Sequence, residues 1–260
     1  MVVAERASES FAFTDQATIR RVHAEGIVLL GGGRALLMQI AHPSVAAAVA
    51  AHSSFQRDPL GRLLRTLRPT LAIVFGSPAQ VAAATASINR LHAGVVGSGY
   101  HALDPALLAW VLATLIDTTL LMHERFVGPL PPDTAAAYYA EMKQAGVLLG
   151  MPGSALPAHL VGFNDYVADM VATLAVTATA RNLAAAIFRP AGPSAPLVLG
   201  LRELSGGLLP PRLRREFGFD WGGRRDAMLR VAAALSRQTW PRLPRSLRRP
   251  PALLLPRSSG

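Results

Sequence analysis

Apolar residues recur at spacings of three and four along most of the chain, and the gaps between those runs carry helix start and stop signals. Ser77-Pro78 sets a hydroxyl before a proline at a first helical position, where a missing N–H costs nothing and φ is already helical. It opens a stretch that ends at Gly97. Asp104-Pro105 repeats that signal and predicts a helix running to Gly128, and Pro131-Pro132-Asp133 opens another that Gly150 closes. Residues 157–173 and 177–189 read as two more helices, and Asp15 is placed to cap a segment reaching into the glycines at 31–33. After Pro190 the texture changes: PAGPSAPLV reads as a loop, and 208–219 and 222–240 as shorter helical pieces. Alternating strand-type runs are scarce, and the helices show no fixed period that would indicate a solenoid. The pattern predicts an all-α fold of seven or more helices in a single domain over residues 14–240. An extension, 1–13, precedes it, and a Pro/Arg-rich tail, 241–260, follows, read as extended or mobile.

Composition narrows the chemistry. With no cysteine, the chain has no disulfides, no thiolate-held cluster or haem and no cysteine nucleophile, so any metal is held by nitrogen or oxygen. The net charge of +10 suggests nucleic acid until its distribution is read: residues 1–200 hold 13 Lys+Arg against 12 Asp+Glu, and residues 201–260 hold 13 against 4. The excess belongs to the end of the chain, which has no recognisable reading module, and nucleic-acid binding is not expected. The most apolar runs, 27–51 and 105–123, are interrupted by Arg34 with His42 and by Asp117, which argues against a membrane span. Glu5 and Glu9 precede any apolar segment, so the N-terminus does not read as a secretory signal and a cytoplasmic protein is expected.

The run LLGGGRALLMQIAHP, residues 29–43, poses a separate question. A phosphate loop needs a lysine and a Ser/Thr after its last glycine, and a dinucleotide fingerprint needs a preceding strand; neither is present. Glycine in a helical pattern costs about 1 kcal/mol relative to alanine. Gly31, Gly32 and Gly33 therefore mark either a helix break or a bare backbone that another helix or a planar ligand approaches closely. Pro43 then interrupts or kinks the helix that follows Arg34.

Two polar groups sit on apolar helices. Arg62, Arg65 and Thr66 share one face while Leu60, Leu63, Leu64 and Leu67 take the other, making either an anion site or a solvated surface. His92 falls on a stripe with Val81, Thr85, Ile88 and Val95. It is either a core histidine with a satisfied hydrogen bond or an axial ligand offered from an apolar face. The other histidines, among them His42, His52, His101 and His123, lack the pair spacing of a zinc hydrolase, and no G-x-S-x-G elbow is present. Asp104 reads as a helix cap, Asp117 and Glu124 as partners for Arg34, Arg125 or His123, and Tyr100 and Trp110 as core aromatics whose polar atoms need partners.

Taken together, LLGGGRALLMQIAHPSVAAAVAAHSSFQRDPLGRLLRTL, INRLHAGVVG, YHALDPALLAWVLATLIDTTLLMHERFVGPL and YYAEMKQAGVLLGMP resemble the family of the MpaB-type oxygenase and the rubber oxygenase, or latex-clearing protein. The resemblance covers about residues 20–220. It implies a globin-like all-α core around haem b, whose iron is held by one histidine and used with dioxygen on an apolar organic substrate. His92 matches the iron ligand. Arg62, Arg65 and Thr66 match an R-x-x-[KR]-T element beside the haem, with Arg65 where the rubber oxygenases have lysine, and either arginine suits a haem propionate. Gly32 and Gly33 then become candidates for close approach to the cofactor. The glutamate that those enzymes carry upstream of this element has no counterpart, since no carboxylate lies between Glu25 and Asp58; His42 or His52 could replace it, or the pocket is simply apolar. The alternative from another class is a non-catalytic haem or lipophilic-ligand binder, peripheral to a membrane, with the arginine tail against anionic lipid.

Overall fold

The computed structural model describes residues 11–52, 59–190 and 192–256, the side chains of 59–66 excepted. Among the described residues the chain forms thirteen α-helices and one two-stranded hairpin, so the all-α expectation holds. In chain order the helices are α1 (Thr18–His23), α2 (Gly32–Ala41), α3 (Pro43–His52), α4 (Pro59–Phe75), α5 (Pro78–Ala93), α6 (Pro105–Phe126), α7 (Pro132–Leu148), α8 (Leu160–Thr173), α9 (Ala178–Ile187), α10 (Ala195–Leu208), α11 (Pro211–Glu216), α12 (Gly223–Thr239) and α13 (Arg245–Arg248). The strands, β1 (Val96–Gly97) and β2 (Tyr100–His101), pair antiparallel with Val96 opposite His101.

The helix starts read from proline and its cap are found where local chemistry sets them. Asp104 Oδ1 accepts from the Ala106 amide at 2.8 Å, and Thr177 Oγ1 accepts from the Ala180 amide at 3.1 Å. Three expectations change. Asp15 does not cap α1 but pairs with Arg20; the first amides of α1, Thr18 and Ile19, instead donate to the two carboxylate oxygens of Glu141 on α7, at 3.2 and 2.6 Å. A carboxylate beside a helix N-terminus satisfies unpaired donors and the helix dipole together. Residues 195–198, read as part of a loop, open the fourteen-residue helix α10, because Pro196 sits in its first turn, where proline favours a helix. The Pro/Arg-rich end is not extended. It forms short helical turns up to Leu254, which is buried, and its Arg248 and Arg249 carbonyls lie so close to Gly26 that a Cβ there would meet both at 2.9 Å.

The centre of the fold is α6, packed against α2, α7, α8 and α12. Its buried side chains, including Leu108, Trp110, Leu112, Ile116, Met122 and Phe126, fall on every side, and a helix apolar all round is either a core helix or a membrane span. At 22 residues it is long and apolar enough to cross a membrane by length and composition, and Asp117 does not interrupt it. Here it is the core helix. The Trp110 indole, wholly buried, donates to the Met38 carbonyl at 3.1 Å, which fixes α6 against α2.

At the other end of the core His23 closes α1, its ring 5.8 Å from that of Tyr138 and its Nδ1 3.1 Å from the Ile19 carbonyl. Burial pushes its pKa down from 6.5 to about 4, with the carbonyl contact opposing in part. The unfolded chain takes up this proton near 6.5 and the folded one only near 4, so the unfolded state gains stability as pH falls between them. Folding stability should therefore drop on acidification through this window by up to about 3 kcal/mol, and be fully present above it. Denaturant midpoints of the protein and of His23→Gln at neutral pH and near pH 4.5 test this. An equally steep acid loss in the variant would remove His23 as the cause.

Candidate functional site

The hairpin of α4 and α5 carries the candidate site. The two helices are joined by the two-residue turn Gly76-Ser77 and pack against each other. Arg20 of α1 anchors the turn, donating from Nε to the Val74 carbonyl at 2.9 Å and from Nη2 to the Gly76 carbonyl at 3.2 Å. These carbonyls lie where a helix runs out of partners, and a cation there is favoured by the dipole.

α5 turns one stripe inward. Val81, Ala84 and Thr85 are buried, Ile88 packs on the core, and Asn89 and His92 are half-buried, while Ala83, Ser87 and Arg90 face out. Three polar atoms on this stripe, Thr85 Oγ1, Asn89 Oδ1 and His92 Nδ1, are shut off from solvent without a hydrogen-bond partner. They stand at i, i+4 and i+7 on one helical face. Buried polar atoms are nearly always paired, so a row of three points to a face built against a polar or metal-bearing group that the described residues do not supply. Burial also pushes the His92 imidazole below the usual histidine range. The ring is therefore neutral at neutral pH, the state in which imidazole offers a lone pair to a metal.

The other histidines are placed differently. His52 is exposed at the end of α3, its Nε2 3.1 Å from the Tyr100 hydroxyl on β2, and His42 Nδ1 accepts from the Ser44 amide at 3.2 Å. Burial lowers the pKa of His42, with Asp104 opposing. His123 Nδ1 lies 2.8 Å from the Gly128 carbonyl. Among the described histidines only His92 has a buried ring nitrogen with no partner. No three His, Asp or Glu side chains among the described residues gather to hold a bare metal ion. A cofactor that brings its own equatorial ligands needs only one protein nitrogen, which His92 can supply.

Arg62, Arg65 and Thr66 lie in the first half of α4, the helix that packs on α5; their side chains fall outside the described residues. Of the glycines, Gly31 ends a 3₁₀ turn, Gly26–Gly31, and Gly32 opens α2. A Cβ on Gly31 would meet Thr118 at 2.6 Å and Met122 at 2.7 Å, and one on Gly33 would run into Ser205 Oγ. The bare faces at 31 and 33 are thus occupied by α6 and α10, and the flat neighbours at this break are protein helices. His92 and Thr85 could be placed on the inward stripe from spacing alone. Asn89 could also have been found there, since it stands three residues before His92.

Comparison with known proteins puts these helices in the class of oxygenase catalytic domains. The chain belongs to the family described as ER-bound oxygenase mpaB/B'/Rubber oxygenase, catalytic domain, which matches residues 20–238 and so takes in α4 and α5. Uncharacterised proteins of Mycobacterium bovis and Mycobacterium tuberculosis are each 39% identical over 67 residues, 26% of this chain and 26% of each relative. The chain thus spans about a quarter of the length of the curated relatives it matches. No solved structure matches it significantly.

Proposed function

We propose that the protein is a haem b-dependent oxygenase that uses dioxygen on an apolar organic substrate, with His92 as the iron ligand in a globin-like helical core. The observation that carries the reading is the partnerless, buried Nδ1 of His92, neutral by desolvation, on the inward stripe of α5 in a member of an oxygenase family. Bound haem would supply the dioxygen chemistry, and the protein would supply ligation, orientation and exclusion of water. On this reading Arg62 and Arg65 of α4 would give haem propionates a planar charged fork, and Thr66 would supply a hydroxyl beside them. Thr85 and Asn89 offer a donor and an acceptor along the same face as His92, orienting whatever polar group lies against it. The apolar side chains of α2, α3 and α6 keep the substrate end dry.

Protein produced with added iron and haem precursor is expected to show a haem absorption band and about one haem b per chain by the pyridine assay. His92→Ala should retain about a tenth of that haem or less. Dioxygen uptake that requires an apolar substrate then separates an oxygenase from a haem carrier. A wild type without the band, indistinguishable from His92→Ala, would end the reading.

A further inference from the structure

The arginine-rich end of the chain, beyond the residues matched by the family, folds back to build a second site with α1. Arg245, Arg248 and Arg249 line a cleft of about 600 Å³ together with Arg20 and Arg21. Its walls contain two carboxylates, Asp15 and Glu25, and both are spoken for. Glu25 Oε1 accepts from Arg248 at 2.6 Å and Oε2 from the Trp240 indole at 2.7 Å. Asp15 pairs with Arg20, whose remaining nitrogens serve the carbonyls of Val74 and Gly76.

Once Arg20 and Arg248 are matched with these carboxylates, Arg21, Arg245 and Arg249 remain as an excess of three positive charges in one cleft. Arg21 reaches only the Thr18 hydroxyl, and Arg245 and Arg249 make no side-chain hydrogen bond or ion pair among the described residues. Arg248 Nε is buried in the same wall without a partner. Like charges gathered in one concavity repel one another and raise the local potential, and a counter-anion relieves both. Several guanidinium forks around one point suit a tetrahedral group with several oxygens and more than one charge. Phe75 and Leu255 add an apolar wall beside them.

We propose that this cleft binds a phosphate-bearing anion, either a soluble phosphate ester or the headgroup of an anionic lipid. It does not depend on the haem reading. Phe75 ends α4 just before α5 begins at Pro78, whereas His92 lies in the last turn of α5, so the two sites stand roughly 20 Å apart along α5 at 1.5 Å of rise per residue.

The test uses the full chain and a variant, Arg245→Gln/Arg249→Gln, in which both altered side chains are exposed and unbonded, so that the thermal midpoint should be unchanged. Calorimetric titration with inorganic pyrophosphate and sedimentation with phosphatidylcholine vesicles, with and without phosphatidic acid, are run on both. The proposal expects saturable binding of pyrophosphate or of phosphatidate vesicles, weakened about tenfold or more in the variant and by added salt. Binding of pyrophosphate in solution identifies a soluble ligand, and binding of phosphatidate vesicles alone identifies a lipid. A wild type that takes up neither probe, or a variant that binds as the wild type does, overturns the proposal.

Discussion

Replacing Arg34 with methionine is expected to lower the melting temperature by about 10 °C, a loss of about 3–5 kcal/mol. Arg34 is 4% exposed and joins three helices. From α2 its Nε donates to the Leu208 carbonyl at the end of α10 (2.8 Å) and its Nη1 to Thr118 Oγ1 on α6 (2.6 Å), while Nη2 stands 2.7 Å from Asp117 Oδ2. Methionine fills much of the space and satisfies none of these acceptors, leaving a partly buried carboxylate without its counter-charge. That penalty, rather than the worth of the pair itself, sets the magnitude, so the double variant Arg34→Met/Asp117→Leu should recover most of the loss. A single variant that melts within about a degree of the parent would show that Arg34 does not hold the three helices together.

Gly33→Ala should destabilise by about 2–3 kcal/mol, although alanine is normally the better helix former by about 1 kcal/mol. The new methyl would crowd Ser205 Oγ and sit 3.1 Å from Phe188 Cζ, and both side chains are buried, so each would have to shift within a packed core. Ser205 is 1% exposed and its hydroxyl has no partner. Ser205→Ala alone should therefore be neutral or mildly stabilising, because it removes an unsatisfied buried group. In the double variant it should restore much of the midpoint lost to Gly33→Ala. Urea midpoints of the two singles and the double decide the matter; a Gly33→Ala protein more stable than its parent would mean that α10 does not press on α2 as described.

How much of this could be read from the chain depends on the range of the interactions. Asp104-Pro105, Ser77-Pro78 and Pro131-Pro132 mark real helix starts because proline presets its own φ and a cap bonds within three residues. The stripe of α5 was equally legible, since helical spacing alone sets which residues share a face, and so was the need of Trp110 for a partner; for Asp117 the spacing left Arg34, Arg125 and His123 open, and the fold selected Arg34. The cap of α1 was not, because Glu141 reaches it from more than 120 residues away. Nor was the return of the arginine-rich end, which rests on Glu25 and on the bare backbone at Gly26.

By itself, then, the sequence determined the all-helical class, most helix starts and the side of α5 on which His92 lies, all consequences of bonds and spacings within a few residues. Tertiary structure alone decided which polar atoms go unpaired, which helices press on Gly31 and Gly33, and that five arginines from two ends of the chain share one cleft. Pairing and burial depend on which distant segments meet, and no local periodicity carries that information.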